Sequence, residues 1–472
     1  MPVIAWGATM RRESSIHGQW SSKLVFVLAA TGSAVGLGNI WRFPYIAGEN
    51  GGGAFVLIYL ACILLIGLPI MMAEIALGRR GRQSPINTMA TLAREEGLHR
   101  AWGLVGWLGV TAGFIILSYY SVIAGWSLSY VFRAASGAFA GLDGEGVKNL
   151  FEGLVSDPER LLAWHTLFML MNILVVARGV RSGLEKAVKF LMPALLGMLL
   201  ILVGYAMTQG HFMQGFAFMF RPDFSQVTGD TILLAMGQAF FTLSLGMGAI
   251  MIYGSYLSSR ASIFKTSATV VSADTAVALL AGLAIFPIVF ASGLEPGAGP
   301  GLIFITLPMA FGEMTGGLLF GTLFFLLLVT AAWTSSISLM EPAVAWLVEN
   351  RGLDRPLAAM IVGGIAWFLG IGTILSFSLW SNPIGFNLTL GGESLFIGGT
   401  LFDMADYLTS NIMLPLGGLL IALFVGWRMN RRSVEEELGL RSRVFFKAWY
   451  HVLRFAAPIG ILLIFLKAVN LI

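Results

Sequence analysis

Two short glycine-rich runs in apolar surroundings are placed where a backbone could bind ions. The first is Gly32, Ser33, Ala34, Val35, Gly36, Leu37, Gly38, Asn39; the second is Thr242, Leu243, Ser244, Leu245, Gly246, Met247, Gly248, Ala249. Unwound backbone offers carbonyls to a cation, and helix N-termini offer N–H groups to a carboxylate. Lipid gives free backbone groups no partner, so such a stretch persists only where it lines a cavity or holds a ligand. Close packing of helices through small residues is the alternative for a single run. Two matched runs, each beside Asn, Ser or Thr, favour ligand binding.

Three carboxylates fall inside apolar segments: Glu74, Asp274 and Glu341. Each is costly in a membrane and marks a candidate functional position. For Glu74 and Glu341 a structural hydrogen-bonding role is an equal or better reading. Asp274, with Ser272 and Thr275 beside it, points to cation coordination. Thr334, Ser335, Ser336 and Ser338 form a hydroxyl cluster. Hydroxyls within helices often bond back to their own turn, but facing a broken helix they complete an all-oxygen shell of the kind hard cations prefer.

The elements that position these groups must be membrane spans. Of 472 residues, 57% are hydrophobic and 11% charged, with a mean hydropathy of +0.82; soluble domains carry about 25% charge. A soluble enzyme, a disordered chain and a nucleic-acid-binding module are excluded. Lone Cys62 lies in an apolar run and cannot form an internal disulfide. Stretches of roughly 20 apolar residues predict eleven spans, near 24–48, 54–78, 102–132, 164–180, 184–208, 231–257, 266–292, 314–348, 357–379, 399–426 and 444–470. Segment 133–163 reads as a solvated external loop and 427–447 as a cytoplasmic connector with an amphipathic helical piece. With the N-terminus inside, 22 Lys and Arg fall on the cytoplasmic side and 6 outside, which the positive-inside rule favours. The expectation is a plasma-membrane protein with its N-terminus in the cytoplasm and its C-terminus outside. The glycine runs align at an offset of 210 residues, five spans apart, so the two units carrying them are inverted in the membrane. Paired interruptions of this kind point to a transporter binding site.

The motifs GSAVGLGNIWRFPY (Gly32–Tyr45), ENGGGAF (Glu49–Phe55), GQAFFTLSLGMGAI (Gly237–Ile250), FITLP (Phe304–Pro308) and TSSISLMEP (Thr334–Pro342) closely resemble the neurotransmitter:sodium symporter family, in particular its bacterial amino-acid transporters. The resemblance runs from about Trp20 to the last span. It implies an all-α membrane fold of the LeuT type, with inverted five-helix repeats at 24–208 and 231–428 and helices 1 and 6 unwound. Residues 1–23 would form a cytoplasmic segment, and 429–472 the connector and last helix.

The resemblance further implies two Na⁺ sites. The first would use the Ala34 carbonyl, Asn39, Thr242, Asp274 and the substrate carboxylate. The second would use the carbonyls of Gly32, Val35 and Ala331 with Thr334 and Ser335. The substrate pocket carried over comprises Ser33, Ala34, Gly36, Leu37, Gly38, Ile116, Tyr120, Phe241, Thr242, Ser244, Met247, Ser335 and Leu339. Gly36 stands where relatives that carry monoamines have Asp, so the substrate must supply its own carboxylate. An α-amino acid with a hydrophobic or aromatic side chain fits, facing Ile116, Met247 and Leu339. The expected gates are Arg42 with Asp406 outside, His17 with Glu349 inside, and Tyr120 with Phe241 as a lid. His17 replaces the family's usual Arg, for which Arg11 or Arg12 are alternatives. Asp274 stands where Asn is common, and Ala278 where chloride-independent members often carry Glu; the Asp274 charge is expected to make chloride unnecessary. The function expected is sodium-coupled uptake of an amino acid. Its rivals are a proton-coupled or exchange transporter of the same fold and a non-transporting amino-acid sensor. No enzyme activity, nucleic acid or obligate protein partner is expected.

Overall fold

The computed structural model describes residues 15–295, 301–390 and 393–468. The chain enters its first helix at α1 (Lys23–Ala34), where the Ser22 hydroxyl accepts from the Val25 N–H and caps the first turn. Twelve residues rise only about 18 Å, too little to cross a bilayer. The chain continues as α2 (Gly38–Glu49), bent by 53° from α1. Then follow α3 (Gly53–Gly81), α4 (Pro85–Glu95), α5 (Arg100–Ala135), α6 (Gly144–Val155), α7 (Pro158–Ala177), α8 (Val180–Thr208) and α9 (Phe212–Phe220). The second half holds α10 (Gly229–Thr242), α11 (Ala249–Ser255), α12 (Ile263–Ala291), α13 (Leu302–Glu313), α14 (Gly317–Arg351) and α15 (Arg355–Ser376). A hairpin of β1 (Ile384–Leu390) and β2 (Glu393–Gly399) precedes α16 (Leu401–Arg428), α17 (Arg431–Leu438) and α18 (Arg443–Lys467).

Among the described residues, nine of these helices are long and apolar enough to span, and α1 with α2 makes ten. The sequence predicts eleven; the difference lies in α10 and α11, which are separated by residues 243–248 and are each too short to span alone. Two elements depart from the sequence reading. Helix α6 lies within the segment read as a plain loop, with Asp143 capping it by accepting from the Gly146 N–H at 2.8 Å. The hairpin pairs Ile384 with Gly399 through Leu390 with Glu393, in a stretch assigned no structure.

Helices α5 and α14 pack along one another, with α7 and α15 beside them, while α11 lies against α3 and α12 against α8. The α3–α11 approach depends on glycine: a Cβ on Gly78 would sit 1.8 Å from the Met251 carbonyl oxygen, and one on Gly254 2.9 Å from that of Ile75. Small residues let membrane helices meet at backbone distance. Gly78→Ala is therefore expected to lose at least about 1–3 kcal/mol through overpacking, visible as a lower unfolding temperature in detergent; an unchanged midpoint would refute it.

Candidate functional site

Both glycine runs are breaks. After α1 the chain turns extended at Val35, and between α10 and α11 it passes through Ser244, Gly246 and Gly248, all at positive φ. Ser244 is one of two non-glycine residues described with positive φ (53°), a conformation that costs free energy and persists where surroundings impose it. Its hydroxyl donates to the Ser33 carbonyl at 2.8 Å, tying one break to the other. Glu74 of α3 holds the second break from outside by accepting from the Gly246 N–H at 2.7 Å.

Asp274 of α12 is fully buried and reaches both breaks. Its carboxylate accepts from the Asn39 amide at 2.8 Å and from the Thr242 hydroxyl at 3.3 Å, while Asn39 Oδ1 accepts from the Gly36 N–H at 3.1 Å. Its described hydrogen-bond partners are neutral. A buried carboxylate without a counter-charge is expensive, and the groups around it are amide, hydroxyl and carbonyl oxygens. No cluster of three or more His, Cys, Asp or Glu suited to a transition metal occurs among the described residues. The donor set fits a hard monovalent cation such as Na⁺.

A second oxygen cluster joins α14 to the first break. Ser335 Oγ lies 3.3 Å from the Gly32 carbonyl, 3.1 Å from that of Ser33 and 3.0 Å from that of Val35. Thr334 bonds back to the Ala331 carbonyl at 3.0 Å, yet it faces the break, since a Cβ on Gly32 would lie 3.2 Å from Thr334 Cβ. Ser338 accepts from the Ser33 hydroxyl at 2.7 Å, whereas Ser336 turns away to Asn172.

Between the two clusters, all thirteen residues named above for the substrate line one cavity of about 30 Å³. The Tyr120 hydroxyl accepts from the Leu37 N–H at 3.2 Å and also meets the Ser335 side chain. Gly36 leaves no room for a side chain, because a Cβ there would meet Ser335 Oγ at 2.4 Å and the Tyr120 hydroxyl at 2.9 Å. Sequence reasoning passed over Gln238, whose amide donates to the Gly38 carbonyl at 2.9 Å. Its place inside the quoted GQAFF motif is the signal that could have found it.

On one side of the cavity, His17 Nε2 lies 3.1 Å from Glu349 Oε1. Glu349 also accepts from the Ser84 N–H, the Ser84 hydroxyl at 2.6 Å and the Asn87 amide at 2.7 Å. Trp20 wedges edge-on against Tyr253 and Tyr256 and donates its indole N–H to the Tyr253 carbonyl. The alternatives Arg11 and Arg12 lie outside the described residues. On the other side, Phe241 and Tyr120 separate the cavity from a second one of about 120 Å³ that reaches Arg42 and Asp406. The structure does not join that pair: Arg42 stacks 4.6 Å from the Phe241 centroid, and Asp406 accepts from Tyr119 and Ser410. Glu341 lies apart, paired with Arg355 and accepting from the Tyr256 hydroxyl.

Two discontinuous helices crossing at a buried, oxygen-lined cavity define a secondary transporter of the LeuT-type fold. The chain belongs to the sodium:neurotransmitter symporter family, which it matches over residues 17–141 and 151–471. It is 39% identical to the sodium-dependent transporter YhdH of Bacillus subtilis, over 96% of this chain and 98% of that protein. A sodium-dependent transporter of Haemophilus influenzae is 35% identical over 95% and 97%. The crystal structure of MhsT in complex with L-phenylalanine superposes with a TM-score of 0.85 and 44% identity, covering 96% of this chain and 99% of that one. Proteins of this family and fold are transporters, not enzymes.

Proposed function

We propose that the protein carries a hydrophobic or aromatic L-amino acid into the cell together with Na⁺, by alternating access. The observation that carries this reading is Asp274: a buried carboxylate with neutral hydrogen-bond partners, bonded to residues of both helix breaks. Na⁺ beside Asp274, Asn39, Thr242 and the Ala34 carbonyl would be completed by the substrate carboxylate, so each would raise the other's affinity. A second Na⁺ would use Thr334, Ser335 and the carbonyls of Gly32, Val35 and Ala331. The amino-acid carboxylate would face the Leu37 and Gly38 N–H groups and Tyr120, with its side chain toward Ile116, Met247 and Leu339. The L-phenylalanine held by MhsT supports that substrate class. Counting α10 with α11 as one broken span gives eleven crossings, which would put the termini on opposite sides, the N-terminus inside by the charge bias. His17–Glu349 would then latch the cytoplasmic end.

Uptake of labelled L-leucine, L-tryptophan and L-phenylalanine into proteoliposomes tests this. Accumulation under an inward Na⁺ gradient, absent with K⁺, is the expected result. Accumulation driven equally by a pH gradient without Na⁺ would favour proton coupling instead.

Chloride is not needed on this reading, because Asp274 itself supplies the negative charge beside the cation. Replacing chloride with gluconate is expected to leave wild-type uptake unchanged and to reduce uptake by Asp274→Asn. A strict chloride requirement in the wild type would refute it.

A further inference from the structure

The junction of α16 and α18, on the same membrane face as His17 and Glu349, carries charge that transport leaves unused. Arg454 sits within α18 with its guanidinium carbon 4.0 Å from the centroid of Trp427 and 5.6 Å from that of Phe455. Those rings are 48% and 46% exposed, so they face lipid. The Trp427 indole N–H donates to the Arg454 carbonyl at 2.8 Å and fixes the stack. Gly426 permits the approach, since a Cβ there would lie 3.2 Å from Arg454 Cα. Trp427 and Arg454 both lie in π-helical turns, Phe424–Arg428 and Val452–Ala456, a local widening frequent at functional sites.

Arg454 Nε is buried without a hydrogen-bond partner, and among the described residues neither Arg454 nor exposed Arg428, which follows Trp427 in the chain, forms an ion pair. A guanidinium stacked on an indole is satisfied across its face only. Its N–H donors leave from the edge, in the ring plane, and need oxygen acceptors. Two of the three acids of α17 are engaged elsewhere: Glu437 holds Arg79 and Glu436 pairs with Arg432. Arginine beside a lipid-facing tryptophan marks headgroup depth, and basic pockets between spans suit anionic headgroups.

We propose that this junction binds the phosphate of an anionic phospholipid. Arg454 and Arg428 supply the cationic donors, and Trp427 the platform. The acyl chains run along exposed Phe455, Ile459 and Leu462, which share one face of α18. That apolar stripe is what selects a lipid over free phosphate.

The test uses the full chain, delipidated in neutral detergent and titrated with dioctanoyl phosphatidylglycerol, dioctanoyl phosphatidylcholine or inorganic phosphate, with the unfolding temperature and native mass spectra as readouts. Phosphatidylglycerol alone is expected to raise the midpoint and remain bound. Arg428→Gln with Arg454→Gln is expected to weaken that binding by about 25-fold, or roughly fivefold per charge, whereas Lys186→Gln with Arg351→Gln leaves it within twofold. Equal stabilisation by inorganic phosphate would overturn the lipid assignment. Equal loss in the control pair would overturn the site, as would full retention in the arginine pair. Should the double variant not fold, brominated phosphatidylglycerol is expected to quench wild-type fluorescence more than brominated phosphatidylcholine does, with the excess lost in Trp427→Phe. Equal quenching by the two lipids would refute the proposal.

Discussion

Asp274→Ala is expected to remove Na⁺-driven uptake, by 100-fold or more, while the protein still folds. The carboxylate is the only full charge described between the two breaks, and its oxygens take donors from Asn39 and Thr242. Removing it deletes the counter-charge for a cation and leaves the Asn39 amide one acceptor short. Losing one partner of a buried charged pair costs about 3–5 kcal/mol, and each 1.4 kcal/mol is tenfold in an equilibrium constant. Stability should suffer less, because a carboxylate buried without a counter-charge opposes folding. Radiolabelled uptake in proteoliposomes, paired with an unfolding midpoint, separates the two effects. Near-normal Na⁺-driven uptake in the variant would remove Asp274 from the mechanism.

The site was legible where a residue breaks a rule of its surroundings. Glycine pairs in spans, a carboxylate in a span and a run of hydroxyls each contradict an apolar setting, and the structure brings the first and last to one cavity, with Asp274 one hydrogen bond behind its wall through Thr242. What was illegible depends on who meets whom across the fold. Ser335 beside Gly32 and Val35 was implied only by resemblance, and helical spacing alone does not say that Ser336, one residue on, turns instead to Asn172; that follows from the helical rotation of α14 against α1. Glu341 finds Arg355 only because the chain turns back between α14 and α15. Arg42 and Asp406 were expected as a pair from resemblance, but the local geometry gives Arg42 an aromatic face and Asp406 two hydroxyls. Helix α6 and the hairpin did carry local signals. Asp143 is a capping residue ahead of Val147, Phe151 and Leu154 at helical spacing, and a Gly-Gly pair separates two strand-like runs.

Glu349→Ala is expected to open the end of the proposed transport path at which His17 and Trp20 pack. Glu349 is nearly buried and gathers donors from three residues: His17 of the N-terminal strap, and Ser84 and Asn87 at the turn into α4, through an N–H, a hydroxyl and an amide. Removing the acceptor leaves all of those donors facing one another. At about 3–5 kcal/mol for one side of a buried pair, the balance between closed and open inner ends shifts by roughly 10² to several times 10³. A ligand favouring the state with this end closed then binds more weakly by the fraction of that state lost. Concentrative uptake should collapse, and Na⁺-dependent amino-acid binding should weaken without change in the residues that touch the ligand. Amide hydrogen exchange in residues 15–34 reports the opening directly, because α1 is held at this end through Trp20 and the strap. Glu349→Asp, which keeps an acceptor at shorter reach, is expected to fall between. Unaltered exchange with lost uptake would mean that Glu349 acts elsewhere in the cycle and is not the latch.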